Sequence, residues 1–254
     1  MPTEIPTWLR QRAEAYARHP LVRRPVLRSR FARFAGVKRD DRVLDVGTGP
    51  GYNAFALAAA GAVATAVDWR PELLEIARAE AKRRRLGGLT FLKVEPASLP
   101  FDTAYFDVVT SAGAVHHFAS PQAAIAEMAR VCRSGGHVVL EDVVASEQPV
   151  RARYYNRLER LRDRSHQRLL PLSEVVALLG QAALLVRRVE VQPSLREFNE
   201  WLGVSRPPYR RSERIRHLLQ GSVEQDLSGL EVQPEDDTFL FVQQLAWLLA
   251  EKPG

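Results

Sequence analysis

Residues 43–52 read VLDVGTGPGY: a short apolar run ends in Asp45, and Gly47, Gly49 and Gly51 follow at alternate positions. Glycine tolerates positive φ and lets a ligand approach the main chain, so such a cluster between a strand and a helix marks an anion or nucleotide site. The dinucleotide fingerprint G-x-G-x-x-G requires a small sixth residue for close helix packing, and here that residue is Tyr52. No Gly-Lys-Ser/Thr follows, which removes a P-loop. What remains is G-x-G-x-G with an acid two residues before its first glycine.

Working outward, apolar patterning alternates between periods of two and 3.6. Strands are expected at 42–46, 62–67, 89–94, 105–110 and 137–143, with helices at 52–60, 71–86 and 121–132 and a turn at Ser134-Gly135-Gly136. That rhythm predicts an α/β fold: a Rossmann-like, mostly parallel seven-stranded sheet with helices on both faces, binding its ligand beyond the carboxyl ends of the strands. Residues 151–170 and 172–179 read as helices, 184–191 as a strand, and 238–250 as a strand or a strand running into a helix; 193–237 reads as a helical insertion. Three parts of one domain follow: a front helical segment 1–40, a ligand-binding core 41–145, and substrate-side helices with the final strands at 146–254.

The glycine loop resembles the S-adenosyl-L-methionine loop of class I methyltransferases. AVDWRPELLEIARAEAKR at 66–83 is similar to that family's second motif; LPFDTAYFDVVTSAGAVHHF and EMARVCRSGGHVVLEDVV resemble the fourth and fifth strand regions of the ubiquinone/menaquinone methyltransferase subgroup. NRLERLRDRSHQRLLPLSEV further on is similar to uncharacterised bacterial members of that subgroup. The resemblance implies that Asp45, Gly47, Thr48, Gly49 and Gly51 embrace the amino-acid end of the cofactor, that Asp68 accepts both ribose hydroxyls with Trp69 beside it, and that Glu95, Pro96, Ala97 and Ser111 complete the pocket. S-adenosyl-L-homocysteine would be the product. Relatives have Gly-Asp-Ala-Glu where this chain has Val94-Glu95-Pro96-Ala97. Glu95 can still accept from the adenine amino group, but Pro96 has no N–H to offer the ring. Pro96→Ala is therefore expected to tighten binding, unless Ala97 or Ser98 supplies the donor through a shifted loop.

Other readings stand beside these. Asp68 can simply cap the helix opening near Pro71, and Asp45 either touches the ligand or orders the loop. His116 and His117 sit where the acceptor belongs, and one of them is expected to act as general base while the other packs, their side chains diverging. Tyr16, Tyr154, Tyr155 and His166 are candidate acceptor-cavity residues. Methyl transfer needs near-attack positioning above all, with a base only where the nucleophile loses a proton.

Composition limits the alternatives. The 254 residues carry a net charge of +6, and cationic residues crowd the front from Arg10 to Arg39 against Glu4 and Glu14. Nearly all basic residues are arginine, a compositional bias rather than a patch, and no aromatic series is interleaved as single-stranded nucleic acid requires. An RNA methyltransferase is the first alternative, but TSAGAVHHF stands where the adenine-amino methyltransferases carry Asn/Asp-Pro-Pro-Tyr/Phe. A non-catalytic S-adenosylmethionine-binding module is the second. The longest nearly apolar stretch, 54–67, is too short for a membrane span. The front lacks a leader's apolar core, and the lone Cys132 excludes an intrachain disulfide and a Cys-cluster zinc site. The expectation is a cytoplasmic enzyme that binds no metal and methylates a small molecule.

Overall fold

The computed structural model describes residues 5–254; the first residues of the front segment, Glu4 among them, lie outside the described residues. Three front helices, α1 (Thr7–Arg18), α2 (Pro20–Arg23) and α3 (Pro25–Phe34), precede the alternating core. That core runs β1 (Arg42–Val46), α4 (Tyr52–Ala59), β2 (Val63–Asp68), α5 (Pro71–Arg83), β3 (Leu89–Lys93), β4 (Phe106–Ala112), α6 (Pro121–Val131) and β5 (Cys132–Val144). Next come α7 (Pro149–Arg162), α8 (Leu172–Gln181), β6 (Leu185–Glu197), α9 (Phe198–Ser205), α10 (Tyr209–Gln220), β7 (Gln233–Glu235) and β8 (Thr238–Glu251). A 3-10 turn at Val115–His117 follows β4.

The strands lie in the order β3-β2-β1-β4-β5-β8-β6, with short β7 pairing β8 off this path. From β3 to β5 the pairing is parallel; β8 runs antiparallel to both β5 and β6. The apolar run of β1 is buried from Val43 to Val46, as a parallel strand covered on both faces requires. On one face Leu44, Val109, Ile125, Met128 and Leu140 form one core cluster; on the other Phe31, Phe34, Leu57 and Trp247 form a second.

One open alternative is decided and three expectations are corrected. Residues 238–250 form strand throughout, because Phe239, Phe241, Gln243 and Leu245 alternate onto a buried face. The stretch 193–237 is not wholly helical: β6 continues to Glu197, and β7 lies near its end. Ser134-Gly135-Gly136 does not close a separate turn but lies within β5, opposite a register irregularity in β4; a Cβ on Gly136 would lie 2.6 Å from the Asp107 carbonyl oxygen. The helix expected over 151–170 ends at Arg162, and the chain beyond it donates from the Gln167 and Arg168 amides to the His116 carbonyl at 3.0 and 3.2 Å. The β6–β8 ribbon outruns β5 and carries a third cluster, Tyr155, Phe198, Trp201, Ile215 and Phe241, beyond the carboxyl ends of the parallel strands.

Candidate active site

The glycine loop leaves the carboxyl end of β1 with Gly47, Gly49 and Gly51 at φ of 74°, 55° and 87°. The Gly47 and Thr48 amides donate to the Val67 carbonyl at 2.9 and 3.0 Å, tying the loop to β2. A Cβ on Gly47 would lie 2.5 Å from Ala114 Cβ, and one on Gly51 would lie 2.8 Å from the Phe55 ring. Gly47 thus permits approach of the β4 loop, and Gly51 permits α4 to pack. A cleft of about 370 Å³ opens on Gly47, Thr48, Gly49 and Asn53, roofed by Tyr16 and Arg28 of the front helices.

Asp45 lies beneath the loop. Its Oδ1 accepts from Asn53 Nδ2 at 2.7 Å and from Thr110 Oγ1 at 2.8 Å. Burial raises its pKa, opposed by hydrogen bonds that include these two. Asp45 thus ties α4 to β4 beneath the loop. Three buried polar atoms here, Asp45 Oδ2, Thr48 Oγ1 and Asn53 Oδ1, have no hydrogen-bond partner among the described residues, and Ser111 Oγ on β4 has none either. Native interiors seldom leave such atoms unpaired, so their clustering beside a Cβ-free cradle fits a polar ligand.

Asp68 is fully buried at the end of β2. Its Oδ2 accepts the Gly49 amide at 2.8 Å, and its Oδ1 accepts the Arg70 amide at 2.9 Å and Arg70 Nε at 3.2 Å. One oxygen therefore holds the Arg70 amide at the entry to α5, and the other steadies the glycine loop. The Arg70 guanidinium stacks 4.7 Å over Trp69, which in turn meets Phe118 edge-on at 5.8 Å. Beyond β3, Glu95 is exposed and Pro96 buried; the Ser98 amide donates to the Glu95 carbonyl at 3.1 Å.

A larger cleft, about 870 Å³, shares Tyr16, Val22, Arg28, Ala112 and Gly113 with the glycine-loop cleft and continues past His116 and His117. His116 Nδ1 lies 2.7 Å from Asp142 Oδ1, and the His116 amide donates to Asp142 Oδ2 at 3.1 Å. A carboxylate only accepts, so Nδ1 carries the proton and Nε2 is the basic nitrogen. Burial lowers the His116 pKa, but the Asp142 charge and hydrogen bond outweigh it and the net shift is upward. His117 is pushed well below its ordinary value by burial and by the neighbouring His116, with its Nδ1 3.1 Å from the Ser165 carbonyl oxygen.

The two imidazoles do not diverge as adjacent side chains were expected to; the 3-10 turn sets them with ring centroids 4.0 Å apart and planes tilted by 43°. Tyr16 does line the cleft, but the other expected cavity residues stand behind its wall. Tyr154 donates to the Leu218 carbonyl at 2.7 Å, Tyr155 is buried and receives Gln243 Nε2 at 2.6 Å, and His166 Nε2 pairs with Asn156 Oδ1 at 2.9 Å. Sequence reasoning missed Asp142, Arg24, Arg28 and Arg196. Asp142 was findable as an acid near the carboxyl end of β5, the edge where open α/β sheets bind ligands. The arginines carried no local signal; Arg24 and Arg28 are two members of a run read as compositional bias.

A doubly wound sheet whose first strand ends in this loop and whose second ends in a buried acid is the architecture of a class I methyltransferase. Comparison with known proteins agrees: residues 44–140 match the methyltransferase domain family. YcgJ of Bacillus subtilis, named an uncharacterized methyltransferase, is 32% identical over 191 residues, 75% of this chain and 76% of the relative. Its crystal structure superposes with a TM-score of 0.83 at 27% identity, covering 88% of this chain and 96% of that one. The demethylmenaquinone methyltransferase of Clavibacter sepedonicus is 33% identical over 119 residues, 46% of each chain. The chain belongs to the S-adenosylmethionine-dependent methyltransferase family.

Proposed function

We propose that the chain methylates a small-molecule acceptor held in the larger cleft, with His116 as general base. The observation that carries this reading is the His116–Asp142 pair at 2.7 Å in a cleft continuous with the glycine loop. When bound, S-adenosyl-L-methionine supplies a methyl group activated by the sulfonium. Gly47, Thr48, Gly49 and Asn53 would hold its amino-acid end and Asp68 its ribose. His116 Nε2 takes the proton that an oxygen, carbon or nitrogen nucleophile gives up, and Asp142 fixes the tautomer and stabilises the imidazolium. His117, held neutral, packs against it.

A cleft lined by both apolar side chains and a few convergent polar groups suits a small acceptor. The relative's name points to quinone-type acceptors as one class to assay, and RNA to another. Among the described residues no helix is long and apolar enough to cross a membrane. The buried lone thiol Cys132 accords with the reducing cytoplasm as its compartment. The deciding experiment incubates metabolite extract and total RNA separately with isotopically labelled methyl donor and identifies the labelled product by mass. Label in a small molecule, lost in His116→Ala with S-adenosylhomocysteine affinity retained, supports the proposal. Label in RNA alone, or full turnover by His116→Ala, overturns it.

A further inference from the structure

Each acid of the acceptor cleft already has a partner, although Glu141 Oε2 is buried with none among the described residues and the Glu141 charge acts on Arg24. Glu141 is held by Arg28 at 2.7 Å, Glu159 by Arg162 at 2.7 Å, and Asp142 by His116 at 2.7 Å. Asp163 accepts the Ser165 amide at 2.8 Å, the Ser165 hydroxyl at 2.7 Å and the Ser205 hydroxyl at 3.2 Å. Two guanidiniums lining the same cleft, Arg24 and Arg196, form no ion pair with a carboxylate among the described residues.

Neither is an idle surface cation. Arg196 is 7% exposed, and its Nε donates to Gln243 Oε1 at 2.8 Å, while Gln243 is itself held by Tyr155 at 2.6 Å. Arg24 stands at the joint of α2 and α3 with φ of 33°, in the left-handed region that residues other than glycine seldom occupy, and its guanidinium donates to Ser194 Oγ at 3.5 Å. Burial and then the Arg24 charge lower the Arg196 pKa to about 10; burial lowers that of Arg24 as well. Holding two like charges together in a desolvated wall, one of them on strained backbone, is unfavourable unless an anion completes the set. The buried indole N–H of Trp201, on the same wall, also has no partner among the described residues and adds a donor. Val22, Val143, Leu169 and Leu245 supply apolar surface between these groups.

We infer that the acceptor carries an anionic group, a carboxylate or a phosphate, on an apolar body, and that Arg24 and Arg196 grip that group while the nucleophile faces His116. This rests on the larger cleft being the acceptor site. Planar forked donors suit either anion. A neutral quinol with a long apolar tail would leave both guanidiniums unmatched.

The test is calorimetric titration of protein saturated with S-adenosylhomocysteine, so that the cofactor's own carboxylate is already in place. Benzoate, phenyl phosphate and neutral benzamide serve as probes at constant ionic strength. One of the anions is expected to bind at least about tenfold more tightly than benzamide, and which one separates carboxylate from phosphate. Arg24→Gln and Arg196→Gln are each expected to abolish most of that preference and leave the S-adenosylhomocysteine dissociation constant unchanged. Equal binding of the three probes by the wild-type protein overturns the inference, and so does a loss confined to S-adenosylhomocysteine binding in the variants. Should Arg196→Gln fail to fold, the wild-type preference and Arg24→Gln decide alone. Failure of the wild-type protein to bind S-adenosylhomocysteine overturns instead the reading of the site itself, before any probe is added.

Discussion

His116 and Asp142 are joined twice, through the imidazole at 2.7 Å and through the His116 amide at 3.1 Å, so one carboxylate fixes both the tautomer and the backbone turn that carries the ring. Burial alone would lower the His116 pKa, and the Asp142 charge reverses that. Asp142→Asn therefore moves the acid limb of the kcat/KM profile to lower pH while reducing its plateau, because the base is weaker and its orientation is lost. A limb that stays in place removes Asp142 from this role.

The same pair predicts a stability effect of definite sign. A histidine whose folded pKa is raised contributes stability that is complete below its unfolded value of about 6.5 and vanishes as pH rises through the folded value. Asp142→Asn should accordingly cost more stability near about pH 5.5 than near about pH 8.5, as followed by denaturant unfolding. An equal cost at both would mean that the charge interaction contributes nothing.

Much of the fold was legible because it rests on local pattern: β1, α4, β2 and α5 follow from apolar runs, Pro71 and three glycines at positive φ. β8 was ambiguous because its last half is apolar on both faces, where a buried strand and a helix look alike in one dimension. The cofactor loop could be read from contiguous residues. The larger cleft could not, since Arg24, His116, Asp142 and Arg196 come from the front helices, the β4 loop, β5 and β6, and only tertiary structure brings them together.

Gly47 and Gly49 should differ under substitution although both have positive φ. An alanine at either position pays about 1–2 kcal/mol for left-handed backbone. At Gly47 its Cβ would also lie 2.5 Å from Ala114 Cβ, whereas at Gly49 the nearest atom is Leu73 Cδ1 at 4.0 Å. Gly47→Ala is expected to cost a further ~1–3 kcal/mol in ligand-free unfolding, an overpacking penalty absent from Gly49→Ala. Equal losses would show that the Ala114 loop gives way freely.

Asp68 and Arg70 make a further test. The Arg70 guanidinium donates to both oxygens of the carboxylate proposed to receive the ribose hydroxyls. Asp68→Ala should weaken S-adenosylhomocysteine binding by tenfold or more, since hydrogen bonds to a charged acceptor are worth about 1.5–3 kcal/mol each. It should also lower the ligand-free Tm, because the buried Gly49 amide loses its partner. Arg70→Met should keep affinity within about threefold, as the side chain only exchanges places with ribose. Unchanged binding by Asp68→Ala would reduce the residue to a helix cap.

The last prediction concerns the turn after β3. Pro96 lacks the amide that would face the adenine ring, a loss of roughly 0.5–1.5 kcal/mol if nothing replaces it. The turn offers a substitute: the Ser98 amide is spent on the Glu95 carbonyl at 3.1 Å, whereas the exposed Ala97 has its amide free of hydrogen bonds among the described residues. An adenine ring seated beside Trp69 could therefore draw its donor from Ala97, one residue later than in relatives. Pro96→Ala is then expected to leave the S-adenosylhomocysteine dissociation constant within about twofold. It should lower ligand-free stability by about 0.4–1 kcal/mol, because the more flexible unfolded chain has more freedom to lose. Several-fold tighter binding by Pro96→Ala in calorimetry would instead show that the missing amide is a real deficit and that Ala97 does not reach the ring.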